Sequence, residues 1–160
     1  MTIAVGDQVP DVGFAMMSAD GPAPISSADL FKGKKVVLFS VPGAFTPTCS
    51  AQHLPGFVQN ADEIKTKGVD TIACMSVNDA FVMDAWGKDQ AVGNNVLMLA
   101  DGSGKFAQAV GLELDLVEMG LGMRSQRFAM VVDDGTVTHL AVEEGPGLDV
   151  SAAEKVLAAL

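Results

Sequence analysis

Cys49 and Cys74 are the only thiols in the chain, and the surroundings of the first are of the kind that make a thiol reactive. Cys49 ends the stretch Pro42-Gly43-Ala44-Phe45-Thr46-Pro47-Thr48-Cys49, which follows a strongly apolar run over 35–41 and precedes apolar residues at helical spacing. That order predicts a thiol at the first turn of a helix, where unpaired N–H groups and the positive end of the helix dipole favour an anion. A thiolate so placed is a nucleophile. If its target is a peroxide, nucleophilicity is not enough: breaking an O–O bond develops charge on oxygen that fixed donors must stabilise. Thr46, three residues before Cys49, can bring a hydroxyl to the same pocket. Pro42 and Pro47 stiffen the turn, and a proline over the sulfur restricts water.

The remaining chemistry-bearing residues are few. Arg124 and Arg127 are the only arginines, and a permanent cation with fork geometry suits a thiolate and a peroxide oxygen better than a lysine does. His53 lies four residues after Cys49, on the same helical face; it can tune the thiolate, although a half-buried helix histidine is the commoner finding. Cys74 sits inside Val69-Asp70-Thr71-Ile72-Ala73-Cys74-Met75-Ser76-Val77 and reads as a small core side chain. His139 has no cysteine or carboxylate at metal-ligand spacing, so neither a metal nor a cofactor is expected. Asp101-Gly102-Ser103-Gly104-Lys105 faintly resembles a calcium loop, but Lys105 replaces an oxygen ligand, and a helix-capping loop is expected instead.

Positioning these residues requires an α/β framework. Apolar, β-branched runs at 35–41, 69–77 and 96–100 predict buried strands. Helices are expected from about Thr48 to Lys67 with Gly68 as the stop, from Asn78 or Asp79 to about Lys88, over 104–110 and over 151–160. Segments 128–133 and 136–142 read as a hairpin across Asp134-Gly135, and an N-terminal hairpin precedes the core. The result is a central mixed sheet with helices on both faces, in which ligands bind outside the carboxyl ends of strands. The turn over 42–49 is therefore the first candidate site. Residues 112–125 are apolar but punctuated by glycines, a poor candidate for a regular element and one expected to face a partner subunit.

At 160 residues and 16.5 kDa the chain is expected to form one domain over 1–160. Ten Lys and Arg against 20 Asp and Glu give a net charge of −10, with no basic cluster beyond Lys32, Lys34 and Lys35; nucleic-acid binding is not expected. Charges interrupt every apolar run, so no membrane span is expected. The opening residues carry Asp7 and Asp11 rather than a basic start and an apolar stretch, and the chain reads as cytoplasmic. In that compartment two cysteines read as thiols rather than as a structural disulfide.

Pro42, Thr46 and Cys49, spaced as a proline, three residues, a threonine, two residues and a cysteine, resemble the active-site motif of peroxiredoxins. The wider segments 41–57, 73–87, 99–116 and 124–144 resemble the type II or type V branch, and the likeness runs over nearly the whole chain. It implies a thioredoxin-like fold and a thiol peroxidase in which Cys49 is oxidised to a sulfenic acid by hydrogen peroxide or an organic hydroperoxide. Pro42, Thr46 and an arginine of the sheet would share the pocket; an arginine directly before a Phe-x-Met strand start falls on Arg127, with Arg124 outside the first layer. Some relatives carry a second thiol where Cys74 stands. No cysteine follows Cys74, whereas atypical two-cysteine type V enzymes use a C-terminal one. The resemblance thus implies recycling by an external thiol, glutathione with glutaredoxin or thioredoxin, and a homodimer with 42–49 and 112–125 in the contact. A redox-sensing protein that uses Cys49 oxidation as a switch is the alternative.

Overall fold

The computed structural model describes residues 1–160. The apolar run at 35–41 forms β3 (Lys35–Ser40), an interior strand of a seven-stranded sheet, after an N-terminal hairpin of β1 (Phe14–Ser18) and β2 (Gly21–Ile25) and a short α1 (Ser27–Phe31). β4 (Thr71–Ser76) and β5 (Leu97–Ala100) continue the sheet in parallel on one side of β3. On the other side lie β8 (Phe128–Asp133) and β9 (Thr136–Val142), antiparallel and joined across Asp134-Gly135, so the strand order is β2-β1-β5-β4-β3-β8-β9. The Asp134 φ of +47° and Gly135 φ of +83° are the left-handed pair that a two-residue hairpin turn of this hand requires.

Side chains alternate across β3, and this alternation builds two cores. Val37, Phe39 and Val41 face α2 (Leu54–Gln59), α3 (Ala61–Thr66), α4 (Ala80–Asp89) and α6 (Ala153–Ala159), meeting Leu54, Phe57, Ile64, Trp86 and Val156. Val36 and Leu38 face α1 and α5 (Lys105–Val110), meeting Leu30, Phe31, Phe106 and Val110. The 101–105 segment is a capping loop as expected: the Asp101 carboxylate accepts from the N–H groups of Phe106 and Ala107, both at 3.0 Å. Asp79 caps α4 by accepting from the Val82 N–H at 2.8 Å.

Two expectations change. The helix expected over 48–67 is not continuous. Residues Cys49–His53 form a π-helical turn, in which the Leu54 N–H donates to the Cys49 carbonyl five residues back, and the chain then breaks at Asn60 between α2 and α3. Pro55 accounts for the first feature, because it has no N–H and its ring crowds the carbonyl four residues before it, so the preceding turn widens. The second falls at Asn60, whose φ of −98° and ψ of 7° leave the helical region while its side-chain amide joins its own N–H on the Gly56 carbonyl, at 2.7 Å. Finally, 112–125 is regular after all. β6 (Glu113–Leu116) and β7 (Gly122–Ser125) pair antiparallel as a separate ribbon, linked by a 3-10 turn over Val117–Met119 and by Gly120 at φ +77°. The alternation in Glu113-Leu114-Asp115-Leu116 is a strand signal that the flanking glycines obscured.

Candidate active site

The turn that leaves β3 is held from three directions. Asn78, just past β4, accepts the Ala44 N–H at 3.0 Å and the Ser76 hydroxyl at 2.6 Å through one amide oxygen. Arg124 on β7 donates to the Pro42 carbonyl at 3.2 Å and to the Leu121 carbonyl at 2.7 Å. Ser40 and Ser125 hydroxyls meet at 2.8 Å, tying the end of β3 to β7. Phe45 takes φ +64°, a left-handed conformation that costs a non-glycine residue energy and persists only where the surroundings enforce it. The Ser50 N–H donates to the Thr46 carbonyl, so Pro47 occupies the first helical position and Cys49 the third. The Cys49 N–H therefore belongs to the first-turn group that has no partner inside the helix.

Cys49 is fully buried and free, and its sulfur receives an N–H from Arg127: Nη2 lies 3.1 Å from Sγ. Arg127 directly precedes β8, so the start of that strand aims its side chain at the helix start, and only 5% of its surface is exposed. Nη1 lies 2.9 Å from Nδ1 of His53, whose Nε2 lies 3.0 Å from the Ser151 carbonyl. A carbonyl can only accept, so Nε2 carries the ring proton and Nδ1 accepts from the guanidinium. Burial, reinforced by the neighbouring Arg127 charge, pushes His53 down to about 3, and the ring is neutral at ordinary pH. Nε of Arg127 is buried without a protein partner.

Thr46 is half-buried, and its hydroxyl donates to the Gly43 carbonyl at 2.7 Å. The expectation that Thr46 offers a donor is therefore corrected. With its hydrogen engaged, the oxygen presents lone pairs and acts toward a ligand as an acceptor. Pro42, Thr46 and Arg127 line one cavity of about 560 Å³, whose far wall is apolar, with Leu114, Leu116 and Met119 from the β6–β7 ribbon and its turn. Arg124 stays outside the sulfur's contacts, as expected. Cys74 lies in β4 between Phe39 and Met98, wholly buried in the core cluster that also holds Cys49; burial first, and the nearby Cys49 second, push its thiol well up. His53 is the residue that sequence reasoning undervalued: it is fully buried and holds the arginine instead of lying half-exposed on a helix.

The arrangement joins a buried thiol to a cationic fork, and the fork lines an apolar cavity together with an acceptor hydroxyl, which is suited to a small, partly polar oxidant. The chain as a whole is similar to known proteins. The redoxin family profile matches residues 4–157. Peroxiredoxin-2B of Arabidopsis thaliana is 52% identical over 159 residues, covering 99% of this chain and 98% of that protein. The chain belongs to the redoxin family, among the peroxiredoxins. The chloroplastic peroxiredoxin-2E of the same plant is 49% identical over 99% of this chain and 70% of its own length. Among solved structures, reduced Prx3 of Vibrio vulnificus in complex with hydrogen peroxide superposes with a TM-score of 0.95 at 52% identity, covering 99% of each chain. The fold is thus the thioredoxin-like fold of peroxiredoxins, and the protein is a thiol peroxidase, an oxidoreductase. The sensor alternative is not favoured.

Proposed function

We propose that Cys49 is the nucleophile that reduces hydrogen peroxide or an alkyl hydroperoxide, with Arg127, Thr46 and Pro42 around it, and that an external thiol restores it. The Arg127 Nη2 contact to Cys49 Sγ at 3.1 Å carries this reading. The buried guanidinium donates to the sulfur, and its fork can hold a peroxide oxygen beside it. The N–H groups of the Arg127 fork and the lone pairs of Thr46, both on the cavity wall, suit a hydroperoxide, which both accepts and donates hydrogen bonds. The thiolate attacks one peroxide oxygen and an S–O bond forms as the O–O bond breaks. The electron pair of that bond departs on the other oxygen, which takes a proton and leaves as water or an alcohol. Sulfur is thereby oxidised to a sulfenic acid and the peroxide reduced by two electrons. Pro42 lines the cavity with Thr46 and Arg127 and leaves less room there for water.

Recycling by an external thiol is supported by Cys74, which is locked in a paired central strand with its proton retained by burial. A glutathione or thioredoxin thiol attacks the sulfenic sulfur and releases water; a second thiol then frees Cys49 and leaves with the first as a disulfide. Glutaredoxin with glutathione, or thioredoxin, fits this sequence, and both thiols of the chain are unpaired, as the cytosol would keep them. A homodimer is supported by exposed Phe45, Val117, Met119 and Met123 around the active-site turn and the ribbon. The test is steady-state peroxide consumption with each reductant. Many equivalents per subunit with glutathione and glutaredoxin, or with thioredoxin, and none in Cys49→Ser are expected. Consumption that stops near one equivalent with every thiol system, or persists in Cys49→Ser, contradicts the reading. Recovery of the protein outside the cytosolic fraction contradicts the location.

A further inference from the structure

The contact between Arg127 and His53 does not end at the histidine. It continues into the irregular segment between β9 and α6. The Ser151 carbonyl that accepts from His53 belongs to a fully buried serine, although its neighbours Asp149 and Val150 are exposed. Something must hold that residue inward. A single oxygen of Glu143, Oε2, accepts the Asp149 N–H at 2.8 Å, the Ser151 N–H at 2.8 Å and the Ser151 hydroxyl at 2.7 Å. The carboxylate thus folds 149–151 around itself. Glu143 is also placed against the arginine through the backbone, because its N–H donates to the Arg127 carbonyl at 3.0 Å and extends the β8–β9 ladder by one residue.

We propose that Glu143 is a positioning residue for the peroxidase reaction: its carboxylate pins the Ser151 carbonyl, the carbonyl fixes His53 as the Nε2–H tautomer, and His53 holds Arg127 on Cys49. The tautomer is the critical link. An Nδ1–H ring would turn a hydrogen toward the guanidinium N–H, two donors face to face, and Nη1 would swing away. Nη2 sits on the same rigid fork, so displacing Nη1 moves the donor off the sulfur. The Glu143 carboxyl, although burial alone would raise it, is held below the ordinary carboxylate value by the N–H and hydroxyl hydrogens of 149–151, as expected of an anion built into the loop. The buried His53 cannot answer the loss of its carbonyl partner by becoming charged, because burial and Arg127 both oppose a proton there.

The inference rests on Arg127 acting on Cys49, and its test has an arm that needs no turnover. Glu143→Ala is expected to slow the reaction of Cys49 with hydrogen peroxide about tenfold, below the loss seen when a reacting group is itself misplaced. Glu143→Gln retains an acceptor oxygen and is expected to recover most of the rate. Nitrogen-15 spectra of the two imidazoles read the tautomer directly, with His139 as the internal reference. Wild type is expected to show His53 as one Nε2–H form, and Glu143→Ala an averaged pair. If Glu143→Ala does not fold, Ser151→Ala, which removes one bond to the carboxylate, is expected to shift the same resonances in the same direction. A wild-type His53 that is Nδ1–H, a Glu143→Ala rate within about twofold of wild type, or a slowed variant with its His53 resonances unchanged would each overturn the proposal. If Cys49 proved not to be the nucleophile, the tautomer shift in Glu143→Ala would still be observed, which separates the two failures.

Discussion

Arg127 is a buried cation whose side chain reaches a sulfur and a neutral imidazole; the ion pairs of the protein, Lys88–Asp84 and Lys155–Asp149, are elsewhere. A cation taken out of water without an anion is costly, so Arg127 depends on the acceptors that it does reach, Sγ of Cys49 and Nδ1 of His53. Replacing Arg127 by Gln removes both the charge and the fork, and the rate of Cys49 with peroxide should fall about 10²-fold or more, as when one preorganised donor is lost. Arg124→Gln loses only bonds to the Pro42 and Leu121 carbonyls, and a much smaller decrease is expected. Stopped-flow oxidation of the two variants distinguishes them; equal losses, or a larger loss at Arg124, would mean that the wrong arginine has been assigned. At this scale Pro42, Thr46, Cys49 and Arg127 were legible in the sequence, because their types are unusual and three of them lie within one turn. Glu143 and Ser151 were not, since the Ser151 carbonyl reaches His53 across 98 residues of sequence and through a loop without periodicity. Thr46 was read in the wrong sense because nothing in the sequence shows that Gly43 would take its hydrogen.

Among the elements, the buried strands β3 and β4 and the β8–β9 hairpin were legible because hydrophobic runs and an Asp-Gly turn are local signals. The π-helical turn and the break at Asn60 were missed because both preserve the apolar spacing of a helix while altering its hydrogen bonding. The β6–β7 ribbon was missed because only four residues alternate on each side. Its turn carries Val117 and Met119, 58% and 71% exposed, and β7 adds Met123 at 45%. Such exposure on one ribbon beside the active-site turn is costly in water unless covered, and a second copy of the chain is the proposed cover. Sedimentation at micromolar protein should give about twice the subunit mass. Val117→Glu with Met123→Glu, which places charge outside the cavity wall, should shift it to the monomer with the circular dichroism of the wild type. A wild type that is monomeric throughout, or a variant that remains dimeric, would contradict this use of the ribbon.

For the whole molecule, the sheet separates two functions of cysteine on one face. Cys49 and Cys74 share a core cluster, yet one begins a helix in contact with Arg127, which lines a cavity, and the other lies in a strand paired on both sides in the sheet centre. A disulfide between them needs Cα atoms about 4.4–6.8 Å apart with correctly directed Cβ atoms, and reaching it in turnover would require Cys74 to leave β4. The net charge of −10 leaves a neutral peroxide free to enter and repels anionic oxidants. Both points converge on one atom. The most direct measurement is mass spectrometry of protein treated with one equivalent of hydrogen peroxide, trapped with a sulfenic-acid reagent or glutathione and digested with thiols blocked. The adduct is expected on Cys49, with Cys74 recovered as a free thiol; an adduct on Cys74, or a dominant peptide pair joining Cys49 to Cys74, would contradict it.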